Sequence, residues 1–274
     1  MKKILVPTDF SDAAYNALLH AIHHAKHTGA SIVAVHAYLM PPTGTAVMVD
    51  ITEMLRKNAE EGLDQLKEMV DKLEIAQGVN IRYKAKHGTV TDVLQRMTEE
   101  KGVDMVIMGT QGASGITEKF LGSNASAATR NLKVPVLAIP AEKPFTPVGK
   151  IVIATDLKKI NKENLFAPVE ALAKAHQSVI RFLHVRKTDE KTDQNETEVF
   201  KSQVANSFEG KAPVFTFIFE NDIEDGLSDA LEKDGADLLV VIRRERGFFQ
   251  SLFHSSVSQR CVNEAALPVL VLHD

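Results

Sequence analysis

The 274-residue chain reads as an α/β protein built from two tandem doubly wound domains, each an open parallel five-stranded sheet with helices on both faces. Three observations lead to that reading. Short apolar runs recur without alternation, as parallel strands covered on both faces require. Between them lie segments with helical apolar spacing, so strand and helix alternate along the chain. The whole pattern then restarts at Lys150.

The first strand is Lys3 to Pro7 (KILVP). Thr8-Asp9-Phe10-Ser11 forms a polar turn at its C-terminal end, and Ser11 is placed to cap the next helix. From Asp12 to Thr28, Ala14, Ala17, Leu18, Ala21, Ile22 and Ala25 recur at helical spacing, and Gly29 stops the helix. Ser31 to His36 is a second buried strand. Tyr38 to Asp50, with Pro41, Pro42 and Gly44, reads as irregular, and a long amphipathic helix follows from about Ile51 to Leu73. Val79 to Lys86 alternates, which suits a strand nearer the sheet edge. A turn at His87-Gly88-Thr89 leads into a helix from Val90 to Lys101. Met105 to Met108 is a buried strand, a glycine-rich loop follows, a helix opens at Ser123, and Val136 to Ile139 is the last strand of the unit.

Ala141 to Gly149 carries two prolines and a glycine and reads as a linker, which sets domains at 1–141 and 149–274. After it, Lys150 to Asp156 (KIVIATD) echoes Lys3 to Asp9 (KILVPTD). Ser178 to His184 echoes Ser31 to His36. Asp234 to Ile242 echoes Lys101 to Met108, and Leu267 to Leu272 echoes Val134 to Ile139. This is a duplication at the scale of a domain. Lys187 to Thr197 is charged and polar and is expected to be a loop.

Composition narrows the function. Hydrophobic residues make up 44% and charged residues 25% of the chain, as in a packed globular protein. A formal net charge of −4 argues against general binding to nucleic acid or anionic membrane, while leaving room for a local anion site. No run reaches the roughly 20 apolar residues of a bilayer span, and the first residues lack a signal-peptide pattern, so a cytoplasmic protein is expected. Cys261 is the single cysteine, in an apparent helix, and reads as a structural or incidental thiol.

The glycine-rich loop GTQGASGITEKFLGS carries Gly109, Gly112 and Gly122, with Ser123 opening the helix after it. Glycine lets backbone approach a ligand closely, and a helix start presents unpaired N–H groups to anions. A loop of this kind between strand and helix is a candidate phosphate cradle. In the second copy, Gly109 maps to Arg243, Gly112 to Arg246 and Gly122 to His254, across a loop about two residues shorter. Since the strands persist without the glycines, the expectation is that the scaffold does not need them and that they answer to a ligand.

The spacing Gly-x2-Gly-x9-Gly-Ser, the Pro7-Thr8-Asp9-Phe10-Ser11 opening and the terminal Val-Pro-Val-Leu strand resemble the ATP-binding branch of the universal stress protein family, and the resemblance covers essentially the whole chain as a tandem. It implies a Rossmann-like fold similar to the adenine nucleotide alpha hydrolases. It also implies binding of ATP or another adenine nucleotide, with Mg²⁺ as a possible companion, in the first domain. By this resemblance Asp9 sits by the ribose, Pro7 and Thr8 line the adenosine side, backbone near Ala37 and Tyr38 meets the adenine, and Met108 and Gly109 lie beneath the nucleotide. Gly112, Gly122, Ser123 and Asn124 hold the phosphates. The final strands are expected to join the two halves into a pseudo-dimer; a homodimer and an unidentified protein partner stay open.

The loop has no lysine in a Gly-Lys-[Ser/Thr] arrangement and is therefore not a Walker A site; Lys119 is its nearest cation. Arg243, Arg244 and Arg246 leave three readings open in the second copy: an anion site, a solvated basic turn, or an interdomain salt-bridge surface. His20, His23, His24 and His27 form pairs four apart on the first helix, either a solvated or partly packed face or a metal pair. Asp9 and Asp156 are candidate general bases, but no Ser/His/Asp or paired-carboxylate pattern accompanies them. A nucleotide-dependent regulatory module is thus set against a slow Mg²⁺-dependent ATPase and a nucleotide-free interaction protein.

Overall fold

The computed structural model describes residues 1–39, 48–100, 102–111, 122–186, 194–208, 213–244 and 267–274. They form two compact units that part between Phe145 and Thr146. In the first, β1 (Lys3–Pro7), α1 (Asp12–Thr28), β2 (Ser31–Tyr38), α2 (Met48–Asp71), β3 (Ile81–His87), α3 (Val90–Glu99), β4 (Met105–Gly109), α4 (Ser123–Asn131) and β5 (Val136–Ile139) follow one another. The strands pair in parallel in the order β3-β2-β1-β4-β5. Ile4, Leu5 and Val6 are fully buried in succession, as are Val106 and Ile107, because helices cover both faces of the sheet. The chain builds outward from β1 to β3, then crosses back to β4. The C-terminal ends of β1 and β4 therefore flank the point where strand order reverses, where open α/β sheets leave a crevice.

The second unit repeats the plan with β6 (Lys150–Ala154), α5 (Ala167–His176), β7 (Val179–Arg186), α6 (Gln194–Ser207), β8 (Val214–Phe219), α7 (Ile223–Asp234), β9 (Leu238–Arg243) and β10 (Val269–His273). Its parallel strands run β8-β7-β6-β9-β10. Details recur as well as topology. The Asp104 carboxylate accepts from the N–H groups of Lys2 and Lys3 at 2.5 and 2.9 Å, and Asp237 does the same for Gly149 and Lys150 at 2.9 and 2.8 Å. Each aspartate ties a neighbouring strand to the start of the first strand of its unit.

Some boundaries differ from the sequence reading. β2 continues to Tyr38, and α2 begins at Met48 inside the stretch expected to be irregular. The polar segment expected as a loop enters α6 at Gln194. The largest difference follows β6. Asp9 to Ser31 and Asp156 to Ser178 are equally long, yet α1 starts at Asp12 whereas α5 starts only at Ala167. Lys158 replaces the capping Ser11, and Pro168 would fall deep inside a helix that began where α1 does. Leu157 to Phe166 is therefore not helical. Among the described residues no helix is long and apolar enough to cross a membrane.

Candidate functional site

Three separate elements of the first unit end on one cleft of about 130 Å³. Pro7, Thr8 and Asp9 come from the end of β1, Met108 to Gln111 from the end of β4, and Gly122 to Ala125 from the start of α4. β2 contributes Val35, His36 and Ala37, and α3 contributes Val90, Val93 and Leu94, so one wall is largely apolar.

Local hydrogen bonds shape the β1 end. Thr8 N–H donates to the Val35 carbonyl at 2.9 Å, and Phe10 N–H donates to Thr8 Oγ1 at 3.0 Å. Phe10 itself adopts a left-handed φ of 64°. The Asp9 carboxylate accepts from the Ser11 N–H at 3.1 Å and the Ser11 hydroxyl at 2.5 Å. The same hydroxyl oxygen caps α1 by accepting from Ala14 N–H. His36 Nδ1 lies 2.8 Å from the Thr8 carbonyl, which can only accept, so Nδ1 carries the proton. The His36 ring stacks on Phe10 at 4.4 Å.

The start of α4 differs from those of α1 and α3. Ser11 and Thr89 cap the latter two with side-chain oxygens, whereas the N-cap of α4 is Gly122, with no side-chain cap. Its first turn opens with the exposed Ser123 and Asn124, both of which line the cleft. Unpaired amides at a helix start attract anions. The described lining residues include no lysine or arginine; Asp9 and His36 are its titratable groups.

The cleft is thus lined by nine of the eleven residues singled out in the sequence: Pro7, Thr8, Asp9, Ala37, Met108, Gly109, Gly122, Ser123 and Asn124. Tyr38 is not among them. Its carbonyl accepts from Gly88 N–H at 2.9 Å and its ring meets His87 edge-on, so the strand turn uses it. Gly112 and Lys119 lie outside the described residues, as do Arg246, His254 and Cys261. Sequence reasoning missed His36, Thr110, Gln111 and the apolar wall from α3. The available signal was Val90, an apolar residue directly after the His-Gly-Thr turn.

The expectation that the scaffold does not need the glycines is corrected for two of them. A Cβ on Gly109 would lie 2.9 Å from the Ala13 carbonyl oxygen, and one on Gly122 would lie 2.9 Å from the Thr110 carbonyl oxygen. Gly122 N–H also donates to that Thr110 carbonyl at 2.6 Å. Both glycines therefore permit close backbone packing inside the protein. The strand register also corrects the expected mapping: the counterpart of Gly109 is Ile242, one residue before Arg243, and a side chain is tolerated there because the counterpart of Ala13 is Ile160, in the non-helical segment.

That segment changes the second site. Arg244, which the strand register sets in the place of Gln111, turns its guanidinium onto Asp156, the counterpart of Asp9. Its Nε donates to Asp274 at 2.9 Å, and Nη2 donates to the carbonyls of Lys158 and Lys159 at 2.9 and 3.3 Å. The side chains of Arg244, Asp156 and Asp274 are 9%, 10% and 0% exposed. Asp274 also accepts from the N–H groups of Asn161 and Lys162 at 2.8 Å each. Of the readings open for the arginines, Arg244 takes none: it forms a buried ion pair within its own unit. The remaining motif repeats faithfully, with His184 Nδ1 on the Thr155 carbonyl at 2.8 Å and Leu157 N–H on Thr155 Oγ1 at 3.0 Å. The His36 bond thus belongs to the scaffold of both units.

Three of the four histidines of α1 pack, and His27 is exposed. His20 and His24 are buried, and Phe145 stacks on His23 at 3.9 Å with its ring edge-on to His20 and His24. Asn16 Nδ2 and His20 Nε2 both donate to the Lys143 carbonyl, at 2.8 and 3.0 Å. Burial lowers the pKa of His20 to about 4, so the ring is neutral and its Nε2 carries the proton.

Comparison with known proteins places these features in context. The family model described as the universal stress protein family matches residues 1–140 and again 147–273. A universal stress protein of Methanocaldococcus jannaschii is 31% identical over 148 residues, covering 52% of this chain and 84% of its own length. Universal stress protein G of Salmonella typhimurium is 30% identical over 144 residues, covering 50% of this chain and 98% of its own. A crystal structure of a universal stress protein from Archaeoglobus fulgidus superposes with a TM-score of 0.74 at 19% identity, covering 98% of this chain and 97% of that one. The last likeness is one of fold.

Proposed function

The chain belongs to the universal stress protein family, matched twice in tandem, and from that premise we propose that its first unit binds an adenine nucleotide, ATP, and acts as a cytoplasmic, nucleotide-dependent regulatory module of the stress response. The observation that carries this reading is the meeting of an uncapped helix start, Gly122 to Asn124, with an apolar wall and a strand-end carboxylate in one cleft. The amides of the first turn of α4 suit phosphate oxygens, with Gly112 of the glycine loop expected beside them. Val35, Ala37, Val90, Val93 and Leu94 offer an apolar face to a base. Asp9 suits ribose hydroxyls, which donate to a carboxylate. Mg²⁺ would arrive with the nucleotide and offset phosphate charge that no described lining lysine or arginine meets.

Binding rather than turnover is favoured by the residues at hand. Asp9 is engaged by both the N–H and the hydroxyl of Ser11, and the His36 bond to the Thr8 carbonyl recurs as His184 to Thr155 in the second unit, so both groups already serve the scaffold. The second unit, with Arg244 paired to Asp156, is proposed to take no nucleotide.

The test is to denature the purified protein, identify any released nucleotide, and follow added ATP over hours with and without Mg²⁺. Retained, uncleaved ATP at one per chain supports the module. Multiple turnovers abolished by Asp9→Asn would convert the reading to a slow ATPase. Neither bound nucleotide nor measurable ATP affinity would refute it.

A further inference from the structure

The two units treat the strand that lies beyond β2 or β7 in opposite ways. β3 (IRYKAKH) carries Arg82, Lys84 and Lys86, charges that discourage a second strand from pairing there. Its counterpart β8 (VFTFIF) carries no charge, and Val214, Phe217 and Phe219 are 47%, 41% and 54% exposed. Among the described strands, β8 pairs with β7 and has no neighbour on its other side.

Its backbone defines which register a new neighbour must take. Glu220 N–H donates to the Arg186 carbonyl, toward β7. Peptide groups alternate along a strand, so Thr216 and Ile218 also point inward, while Phe215, Phe217 and Phe219 direct N–H and C=O outward.

We propose that β8 pairs antiparallel with β8 of a second copy of this chain, about a two-fold axis through Phe217 normal to the sheet. Such an axis keeps each face on its own side, so facing residues must share a face. Phe217 then faces Phe217 of the second copy, and Phe215 faces Phe219, each as a hydrogen-bonded pair. The three phenylalanines already share a face: Phe215 stacks on Phe182 at 5.2 Å, Phe217 meets His184 edge-on, and Arg186 lies over Phe219 at 4.2 Å. Cross-strand aromatic pairs are favourable, with Cβ atoms about 5 Å apart.

Charge permits the same arrangement. β8 carries no charge, so two copies meet without like charges opposed along the strand, and Glu220 of the second copy falls opposite the uncharged Val214. Arg181, in register with Val214, is engaged by Asp234 of its own chain and leaves that edge uncharged. Pro213 has no N–H to offer on the outward side, which limits the pairing to the strand itself.

Sedimentation velocity on the full chain tests this. The wild type is expected as a concentration-dependent dimer, and Phe217→Lys as a monomer with unchanged circular dichroism, since two ammonium groups would meet on the axis. In a Cys261→Ser background, Phe217→Cys is expected to form an inter-chain disulfide under mild oxidation, because a hydrogen-bonded pair has Cα atoms about 5.5 Å apart. Thr216→Cys, on the other face and off the axis, should not. A monomeric wild type, a dimer that survives Phe217→Lys, or equal cross-linking by both cysteines would each overturn the proposal. Nucleotide content is measured separately and bears only on the first unit.

Discussion

Replacing Arg244 by methionine removes the cation that holds the second unit's irregular segment while keeping most of its apolar volume. The guanidinium contacts two buried carboxylates and two carbonyls. Without it Asp274 still accepts from the Asn161 and Lys162 amides. Asp156 fares worse: its Oδ2 has no hydrogen-bond partner and its Oδ1 keeps only a long contact from Lys158 N–H, at 3.3 Å. Breaking a buried pair from one side costs about 3–5 kcal/mol, chiefly for the charge left behind. At about 1.4 kcal/mol per tenfold, amide exchange through opening of this unit should accelerate by roughly two to three and a half decades. Hydrogen exchange read by mass spectrometry on peptides from β6 and β9 measures it, with β1 and β4 as the internal reference. Adding Asp156→Asn should restore much of the protection, because no stranded charge remains. An acceleration below about tenfold, or an equal one in both units, would refute the assignment of Arg244 as the internal counter-ion.

Two other outcomes follow from the first unit. Gly109→Ala should destabilise the nucleotide-free protein by about 1–3 kcal/mol, as overpacking does, since the methyl would sit 2.9 Å from the Ala13 carbonyl oxygen; an unchanged melting temperature without ligand would return this glycine to a purely ligand-directed role. His20, with its pKa lowered to about 4 by burial, takes up its proton in the unfolded chain first. Stability should therefore fall as pH drops from about 6.5 to about 4, by up to about 3 kcal/mol, and His20→Gln should flatten that part of the urea-denaturation profile. Parallel wild-type and variant profiles would show that His20 is not the group responsible.

Much of this was legible in the chain alone. The apolar runs at Lys3 to Pro7 and Met105 to Met108 mark strands buried on both faces, and Ser11 and Gly29 bracket α1 as expected. Pro168 also carried a usable signal, since it forbids a helix as early as α1, but its meaning emerged only beside the equal-length first copy. Comparing the two glycine loops as if their surroundings were alike misjudged Gly109, because what lies against a glycine is not written next to it.

The sequence by itself determined the alternation of strand and helix, the duplication, and the glycine spacing that identifies the family. Each is a local or periodic property, written in neighbouring residues. Only the tertiary structure decided what those residues meet: Ala13 against Gly109, the α3 wall facing β1, Phe145 among the histidines, Arg244 over Asp156. These are contacts between distant parts of the chain, set by how closely one helix approaches one strand end. The same β-strand ending therefore opens into a cleft in the first unit and closes on its own arginine in the second.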